Sequence, residues 1–155
     1  MPVKKLTEFL DGQKVKYVTT SHSAAYTAQE IAATAHISGY ELAKAVIVKL
    51  DKGVAMAVVP ASYKVDLDRL KNAAGAKKVS LASEQEFRGM FPECELGAMP
   101  PFGNLYGVDV FVDESLTKDE QIAFNAGSHT ELIKMSYQDF ERLAKPRVAK
   151  FAAGT

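Results

Sequence analysis

Two periods of apolar residues run through the chain and predict a mixture of short helices and short strands. Helical segments repeat an apolar residue every three or four positions, as Leu6, Phe9 and Leu10 do, whereas strand segments alternate or are continuously apolar. The predicted order is a helix over 4–10, a strand over 15–20, a helix over 27–36, strands over 42–50 and 54–59, a helix over 66–75, a strand over 78–81, a helix from 83 that ends before 92, strands over 108–112, 121–125 and 131–135, and a last helix from 136. The chain has more predicted strands than a simple β-α-β series would contain, and several of them are joined by short turns. We therefore expect an α+β fold with a mixed, barrel-like β-sheet core surrounded by helices.

The two most apolar segments predict the centre of this sheet. LAKAVIVKL over 42–50 and VAMAVV over 54–59 flank Asp51-Lys52-Gly53, which is a hairpin-turn signal. The second segment is apolar at successive positions, so it should be buried on both faces.

Length and composition fit one domain over residues 1–155. No apolar run approaches the roughly 20 residues that a membrane helix needs. The N-terminal segment lacks the apolar stretch of a secretory signal. A cytoplasmic protein with no membrane partner is therefore expected.

Charge and cysteine content narrow the function. The 19 basic side chains equal the 19 acidic ones, whereas proteins that grip long nucleic acids usually carry a basic excess. Any RNA contact should therefore be small, such as an RNA end, with a local cluster of charge. Cys94 is the one cysteine, either a small apolar residue or a nucleophile. The three histidines and Cys94 lack metal-ligand spacing, so no metal or other cofactor is expected.

Lys44 is the first candidate for chemistry. Side chains of a strand alternate between faces, so Lys44 shares its face with apolar residues such as Leu42 and Val46. A buried lysine is costly unless it is paired or placed at a cavity. It either extends its ammonium to water at the strand entrance or provides a cation at a pocket that holds a phosphate or polarises a carbonyl.

A loop rich in glycine and proline is the second candidate. Residues 91–107 read FPECELGAMPPFGNLYG, and the centre of this segment is Gly97-Ala-Met-Pro-Pro-Phe-Gly103. Glycine lets a backbone approach a ligand closely, and proline stiffens the loop around it. The loop is either a tight connection or a cradle whose N–H groups hold a carbonyl oxygen or an oxyanion.

The third candidate is Asn125-Ala-Gly-Ser-His129, between two predicted strands. Gly127 indicates a bulge or a turn. Adjacent residues of an extended backbone point apart, so Ser128 and His129 should not form a nucleophile–base pair. His129 is either structural or positions substrate or water.

Taken in this order, the three features resemble the YbaK family of aminoacyl-tRNA deacylases, which includes the editing domain of bacterial prolyl-tRNA synthetases and the free-standing ProXp proteins. The resemblance extends from about His22 to the final helix. The matching segments are Ala43-Lys-Ala-Val-Ile-Val48, the Gly97-x-x-x-Pro101 loop with Phe102-Gly103, and Gly127-Ser-His129.

The resemblance implies a site as well as a fold. It implies a catalytic set of Lys44, Gly97, Pro101 and His129. It implies a substrate-binding set that comprises His22, Tyr26, Met99, Pro100, Phe102, Gly103, Gly127 and Ser128. In this hypothesis Lys44 anchors the 3′ end of the substrate through phosphate or ribose contacts, and loop amides stabilise the oxyanion. A ribose hydroxyl, or water ordered near His129, transfers protons.

The implied function is that of a free-standing trans-editing hydrolase that removes a small amino acid (alanine, serine, threonine or cysteine) from mischarged tRNA, with tRNA-Pro as the carrier. Its partners would be the aminoacylated 3′ end of tRNA and an aminoacyl-tRNA synthetase. Two alternatives stay open from the residues: a nucleic-acid-binding module without catalysis, and an inactive relative that binds a synthetase.

Overall fold

The computed structural model describes residues 4–21, 42–51, 53–61, 63–87, 89–91, 94–95, 98–128 and 130–153. Within these ranges the helices are α1 (Lys4–Gly12), α2 (Leu67–Ala74), α3 (Glu84–Phe87) and α4 (Tyr137–Ala144), with 3-10 turns at Gly103–Tyr106 and Glu114–Lys118. The strands are β1 (Tyr17–Ser21), β2 (Ala43–Leu50), β3 (Gly53–Pro60), β4 (Lys64–Val65), β5 (Ser80–Leu81), β6 (Asp109–Asp113), β7 (Gln121–Asn125), β8 (Glu131–Ser136), β9 (Arg147–Ala149) and β10 (Ala152–Ala153). The predicted helix over 27–36 lies outside the described residues.

The strands form a mixed set of sheets. The largest has the order β5-β2-β3-β6-β9, in which β2 and β3 are antiparallel and β3, β6 and β9 run parallel. A second, antiparallel sheet has the order β1-β8-β7, and β4 pairs with β10. A bridge between Leu42 and Ala123 joins the two larger sheets. The α+β class with a mixed sheet core is therefore confirmed.

Strand β3 is buried on both faces, as its sequence predicts. Met56 and Val58 point into a core that also contains Leu6 of α1 and Phe140 of α4. The alternate residues of β3 pack with Leu70 of α2 in a second apolar cluster. Each residue from 55 to 60 is buried, so β3 forms the layer between the two clusters.

Side chains cap two of the helices that the sequence predicts. Asp66 accepts a hydrogen bond from the backbone N–H of Arg69 at 3.1 Å. Ser83 and Glu86 form a reciprocal capping box, with N–H to side-chain oxygen distances of 3.0 and 3.3 Å. The backbone hydrogen bond from Ser83, with added contributions from Lys49, lowers the pKa of Glu86 to about 2. Helix α3, which this box begins, ends at Phe87.

Some boundaries differ from the prediction because side chains replace sheet hydrogen bonds. The strand predicted over 78–81 is β5, only Ser80–Leu81. The N–H groups of Lys77 and Lys78 donate to the carboxylate of Asp51, each at 2.8 Å, instead of entering the sheet. None of the helices in the described ranges is long and apolar enough to cross a membrane.

The last two strands have no counterpart in the sequence prediction. A buried carboxylate, Asp113, accepts hydrogen bonds from the N–H groups of Phe151 at 2.9 Å and Ala152 at 2.8 Å. Burial opposes ionisation of Asp113, but hydrogen bonds from Ser115, Phe151 and Ala152 outweigh it and lower the pKa. This carboxylate therefore fixes the C-terminal segment against the sheet.

Candidate active site

The outer edge of β2 is covered at both ends and open between them. Along its inner edge β2 pairs with β3 over its whole length. On the outer edge, Leu42 is bridged to Ala123 of β7, and Val48 and Lys49 pair with β5. Between these contacts the outer edge has no strand partner among the described residues. A gap therefore opens in the sheet next to Lys44.

The hairpin register directs one peptide unit into this gap. In an antiparallel pair, alternate residues hydrogen-bond to the partner strand, and Leu42 does so, because its carbonyl accepts from Ala61 at 2.7 Å. The backbone N–H and C=O groups of the odd-numbered residues of β2 point away from β3. Ile47 shows this, because its carbonyl accepts a hydrogen bond from the N–H of Ala82 at 3.0 Å. Ala45 has the parity of Ile47, so its N–H and C=O point into the gap.

A cavity of about 390 Å³ occupies the gap, within the size range of small-ligand pockets. Its apolar lining consists of Ala45, Val46, Ile47, Leu81, Ala82, Phe87 and Met99. Among the described residues, the charged side chains of the lining are Lys44 and Glu84. The described part of the cavity therefore combines a cation and a carboxylate with a mostly apolar wall.

Lys44 is half-buried at this cavity. Burial lowers the pKa of Lys44 below its ordinary value, and repulsion from Lys64 lowers it further. Lys44 makes no ion pair with a carboxylate in the described part of the chain. An anion bound in the cavity would relieve both effects, because it would stabilise the charged ammonium.

The loop rich in glycine and proline is hydrogen-bonded to the turn after β7. The N–H of Gly127 donates to the carbonyl of Ala98 at 2.9 Å, and the N–H of Glu95 donates to the carbonyl of Gly127 at 2.8 Å. Gly127 has a φ of 101°, which favours glycine. Met99 directly follows Ala98 and lines the cavity with Lys44. The described parts of the strand, the loop and the turn thus meet at one place.

The predicted loop residues after Met99 are buried, but they are not among the residues that line the cavity. Pro100 and Pro101 are buried. Phe102 is fully buried, with ring centroids 5.7 Å from Phe124 and 5.3 Å from Phe140. Phe102 therefore packs in the core and is not among the cavity-lining residues, and its predicted contact with substrate stays a prediction.

Gly103 and Ser128 also have local partners. A Cβ atom on Gly103 would lie 2.8 Å from the carbonyl oxygen of Val108 and 2.9 Å from a methyl group of Val110, so this glycine permits close packing. The Ser128 hydroxyl lies 3.2 Å from Oγ1 of Thr130. The predicted residues His22, Tyr26, Gly97 and His129 lie outside the described residues, and their roles stay predictions.

Sequence reasoning did not single out Ala45 or Glu84. The parity of Ala45 follows from the two-residue turn after Leu50, because that turn fixes which residues bond across the hairpin. Glu84 stands inside the Ser83–Glu86 capping box, so its sequence context indicates only a helix start.

Comparison with known proteins places this fold among editing domains. A protein described in its solved structure as a candidate trans-editing enzyme for prolyl-tRNA synthetase superposes with a TM-score of 0.83 at 20% identity, covering 97% of this chain and 96% of that one. At this identity the likeness shows the fold. The family model of the aminoacyl-tRNA editing domain matches residues 22–143.

The chain therefore belongs to the aminoacyl-tRNA editing domain family. The predicted family and enzyme class, an aminoacyl-tRNA deacylase, are confirmed. The chain is 27% identical to the prolyl-tRNA editing protein ProX of Acetoanaerobium sticklandii, over 93% of this chain and 91% of that protein. It is 26% identical to the multifunctional Ser/Thr-tRNA deacylase ProXp-y of Escherichia coli K12, over 96% and 91%. A proline–tRNA ligase of Bacillus cytotoxicus is 30% identical over 57% of this chain and 15% of that enzyme.

Proposed function

We propose that the chain acts in trans on tRNA that carries a wrong, small amino acid and hydrolyses the ester bond in the cavity at the β2 edge. The observation that carries the assignment of the site is Lys44, a half-buried cation on a mostly apolar cavity wall. Its lowered pKa indicates that the folded protein disfavours the charged form until an anion binds.

The chemistry of the cavity matches the aminoacylated end of tRNA. That end carries phosphate, an ester carbonyl, an α-ammonium group and the amino-acid side chain. Lys44 would bind the phosphate or the ribose, and the N–H of Ala45 would donate to the carbonyl oxygen. Glu84 would face the ammonium, and Met99 and Phe87 would pack against a short side chain.

The reaction needs positioning and charge stabilisation more than a protein nucleophile. The oxygen of a water molecule adds to the ester carbon, and the electron pair of the C=O bond moves to its oxygen. The resulting oxyanion would be held by the N–H of Ala45 and by amides of the loop before Pro101. Collapse breaks the bond to the ribose oxygen, which takes a proton and leaves. A ribose hydroxyl, or water near His129, would move the protons.

Selection would depend on the size of the side chain. One methylene group in an apolar pocket changes binding by about 1–3 kcal/mol, which is why synthetases need editing for small residues. Alanine, serine, threonine and cysteine are the candidates. The name of one curated relative, a prolyl-tRNA editing protein, supports tRNA-Pro as the carrier. The name of another, a Ser/Thr-tRNA deacylase, supports serine or threonine as the amino acid removed. Association with a synthetase and a cytoplasmic place of action follow as parts of the same proposal.

A panel of charged tRNAs tests this proposal. Purified protein is incubated with tRNA-Pro that carries alanine, serine, threonine, cysteine or proline, and the release of each amino acid is followed over time. We expect release of at least one small amino acid and retention of proline. Turnover of prolyl-tRNA alone, or of none of the panel, would contradict the proposed substrate.

A further inference from the structure

A second cavity, of about 560 Å³, lies at the outer end of the three-stranded sheet, between the segment that follows α1 and the first turn of α4. Its lining includes four cationic residues, Lys14, Lys16, Lys134 and Arg142. We call this cavity the basic groove. Of the residues that the structure describes, none lines both this groove and the cavity at the β2 edge.

The register of the three-stranded sheet brings the cationic side chains of the basic groove to the same end of the sheet. Val18 of β1 stands directly opposite Lys134 of β8, so the two side chains share a face. Lys16 lies two residues before Val18. Gln121 of β7 pairs with Ser136 at the same end of the sheet, where α4 brings Arg142. Lysines from separate segments therefore lie on one exposed surface.

The charge of the basic groove is unbalanced within the described residues. Its one lining carboxylate, Asp139, pairs with Arg142 at 3.3 Å. Asp11 lies nearby, where it accepts a hydrogen bond from the hydroxyl of Tyr17 at 2.8 Å. Lys14, Lys16 and Lys134 make no ion pair with a carboxylate in the described part of the chain. Because the chain as a whole has no net charge, this excess is a local feature.

The position of the basic groove relative to Lys44 indicates what kind of anion it fits. Leu42 is bridged in parallel to Ala123, so Lys44 lies near the level of Asn125, four residues along β7 from Gln121. At about 3.3 Å per strand residue, the separation along the strand axis is about 13 Å. A stacked nucleic-acid strand advances about 3.4 Å per nucleotide, so the separation corresponds to about four nucleotides.

We propose that the basic groove binds the phosphate backbone of tRNA at a distance of several nucleotides from the aminoacylated adenosine held at Lys44. This inference rests on the proposed function. Lys14 and Lys16 precede β1 and Lys134 lies on β8, so the positive charge is distributed over two segments, which suits successive phosphates of one strand. The basic groove would add affinity for the tRNA body and would make no contact with the reacting ester.

The test compares a groove variant with a charge-matched control. The double variant Lys16→Glu/Lys134→Glu changes the basic groove, and Lys77→Glu/Lys150→Glu makes the same change in charge at exposed positions outside it. Each protein is assayed with alanyl-tRNA and with an alanylated CCA trinucleotide, which is too short to reach the groove. Binding of uncharged tRNA is measured separately by filter retention over a range of salt concentrations.

We expect the groove variant to raise KM for alanyl-tRNA about tenfold and to leave the trinucleotide reaction unchanged. The slope of log Kd against log salt for uncharged tRNA should fall by about 2, because two phosphate contacts are lost. Equal effects in the control variant, unchanged tRNA binding, or retention of anionic phosphatidylserine vesicles in place of tRNA would overturn the proposal. The binding assay keeps the two proposals separable, since it gives an answer even if no deacylation occurs.

Discussion

The cavity at the β2 edge and the basic groove use lysine in opposite ways. Lys44 is half-buried among apolar side chains and has a lowered pKa, whereas Lys14 and Lys16 of the groove are exposed on a polar surface. A desolvated charge interacts strongly with a ligand at short range, and an exposed charge acts over a longer range but is screened by salt. Because of this difference, the cavity at the β2 edge suits chemistry and the basic groove suits docking.

Replacement of Lys44 by alanine should have the largest effect. We expect kcat/KM to fall by at least about 100-fold, because removal of one partner of a desolvated, hydrogen-bonded charge pair costs about 2–5 kcal/mol. The loss should be the same for alanyl-tRNA and for the short trinucleotide, which separates Lys44 from the basic groove. Circular dichroism should show that the fold is retained. Full activity in a folded Lys44→Ala protein would remove this residue from the mechanism.

The substitution Gly103→Ala should come next, through stability. The added Cβ atom would lie 2.8 Å from a backbone oxygen and 2.9 Å from a methyl group, and overpacking of this kind costs about 2 kcal/mol. Gly12→Ala is the matched control, because nothing lies within 4 Å of its added Cβ. Urea unfolding of both variants measures the difference. The Gly103→Ala protein should still bind tRNA at the basic groove under native conditions. Equal free energies of unfolding for the two variants would contradict the prediction, because they would show that the loop tolerates the added atom.

A smaller effect is expected for Met99→Ala, which enlarges the cavity. Removal of the Met99 side chain should let the protein accept a larger amino acid, with selectivity for small residues reduced about tenfold. Rates on tRNA charged with alanine and with valine measure this ratio. The salt dependence of tRNA binding should not change. An unchanged ratio would mean that Met99 does not contact the substrate side chain.

The smallest effect concerns the pH dependence of activity. Repulsion from Lys64 contributes to the lowered pKa of Lys44, so Lys64→Met should raise that pKa. If the protonated ammonium binds substrate, activity is present at low pH and falls as the pH rises through the pKa of Lys44. The fall should therefore move to higher pH in the variant. Rates on the trinucleotide, corrected for spontaneous hydrolysis, give the profile, and a shift in the opposite direction would contradict the assignment.

The sequence predicts local structure well where the determining residues are neighbours. The hairpin of β2 and β3 follows from two apolar runs and a two-residue turn, and the cap of α2 follows from Asp66. Strands β9 and β10 were missed because they have three and two residues. Their position depends on Asp113, which is 38 residues from Phe151 along the chain, and no local pattern encodes such a contact.

Some residues of the candidate site can be predicted from the sequence, and others are shown only by the fold. Lys44 is visible in the sequence because a charge interrupts an apolar strand face. The contact between Ala98 and Gly127 joins segments that are far apart in sequence, and only the fold shows it. Ala45 contributes its backbone, which side-chain patterns do not report, and Glu84 is hidden by its place in a helix cap.

The most direct test of the account is a crystal structure of the protein with a non-hydrolysable substrate analogue, 5′-phosphoadenosine whose 3′ position carries alanine through an amide bond. We predict that the phosphate contacts the ammonium of Lys44, that the carbonyl oxygen lies about 2.9 Å from the N–H of Ala45, and that the alanine methyl group packs on Met99. An analogue bound away from this cavity, with Lys44 making no contact to it, would contradict the account.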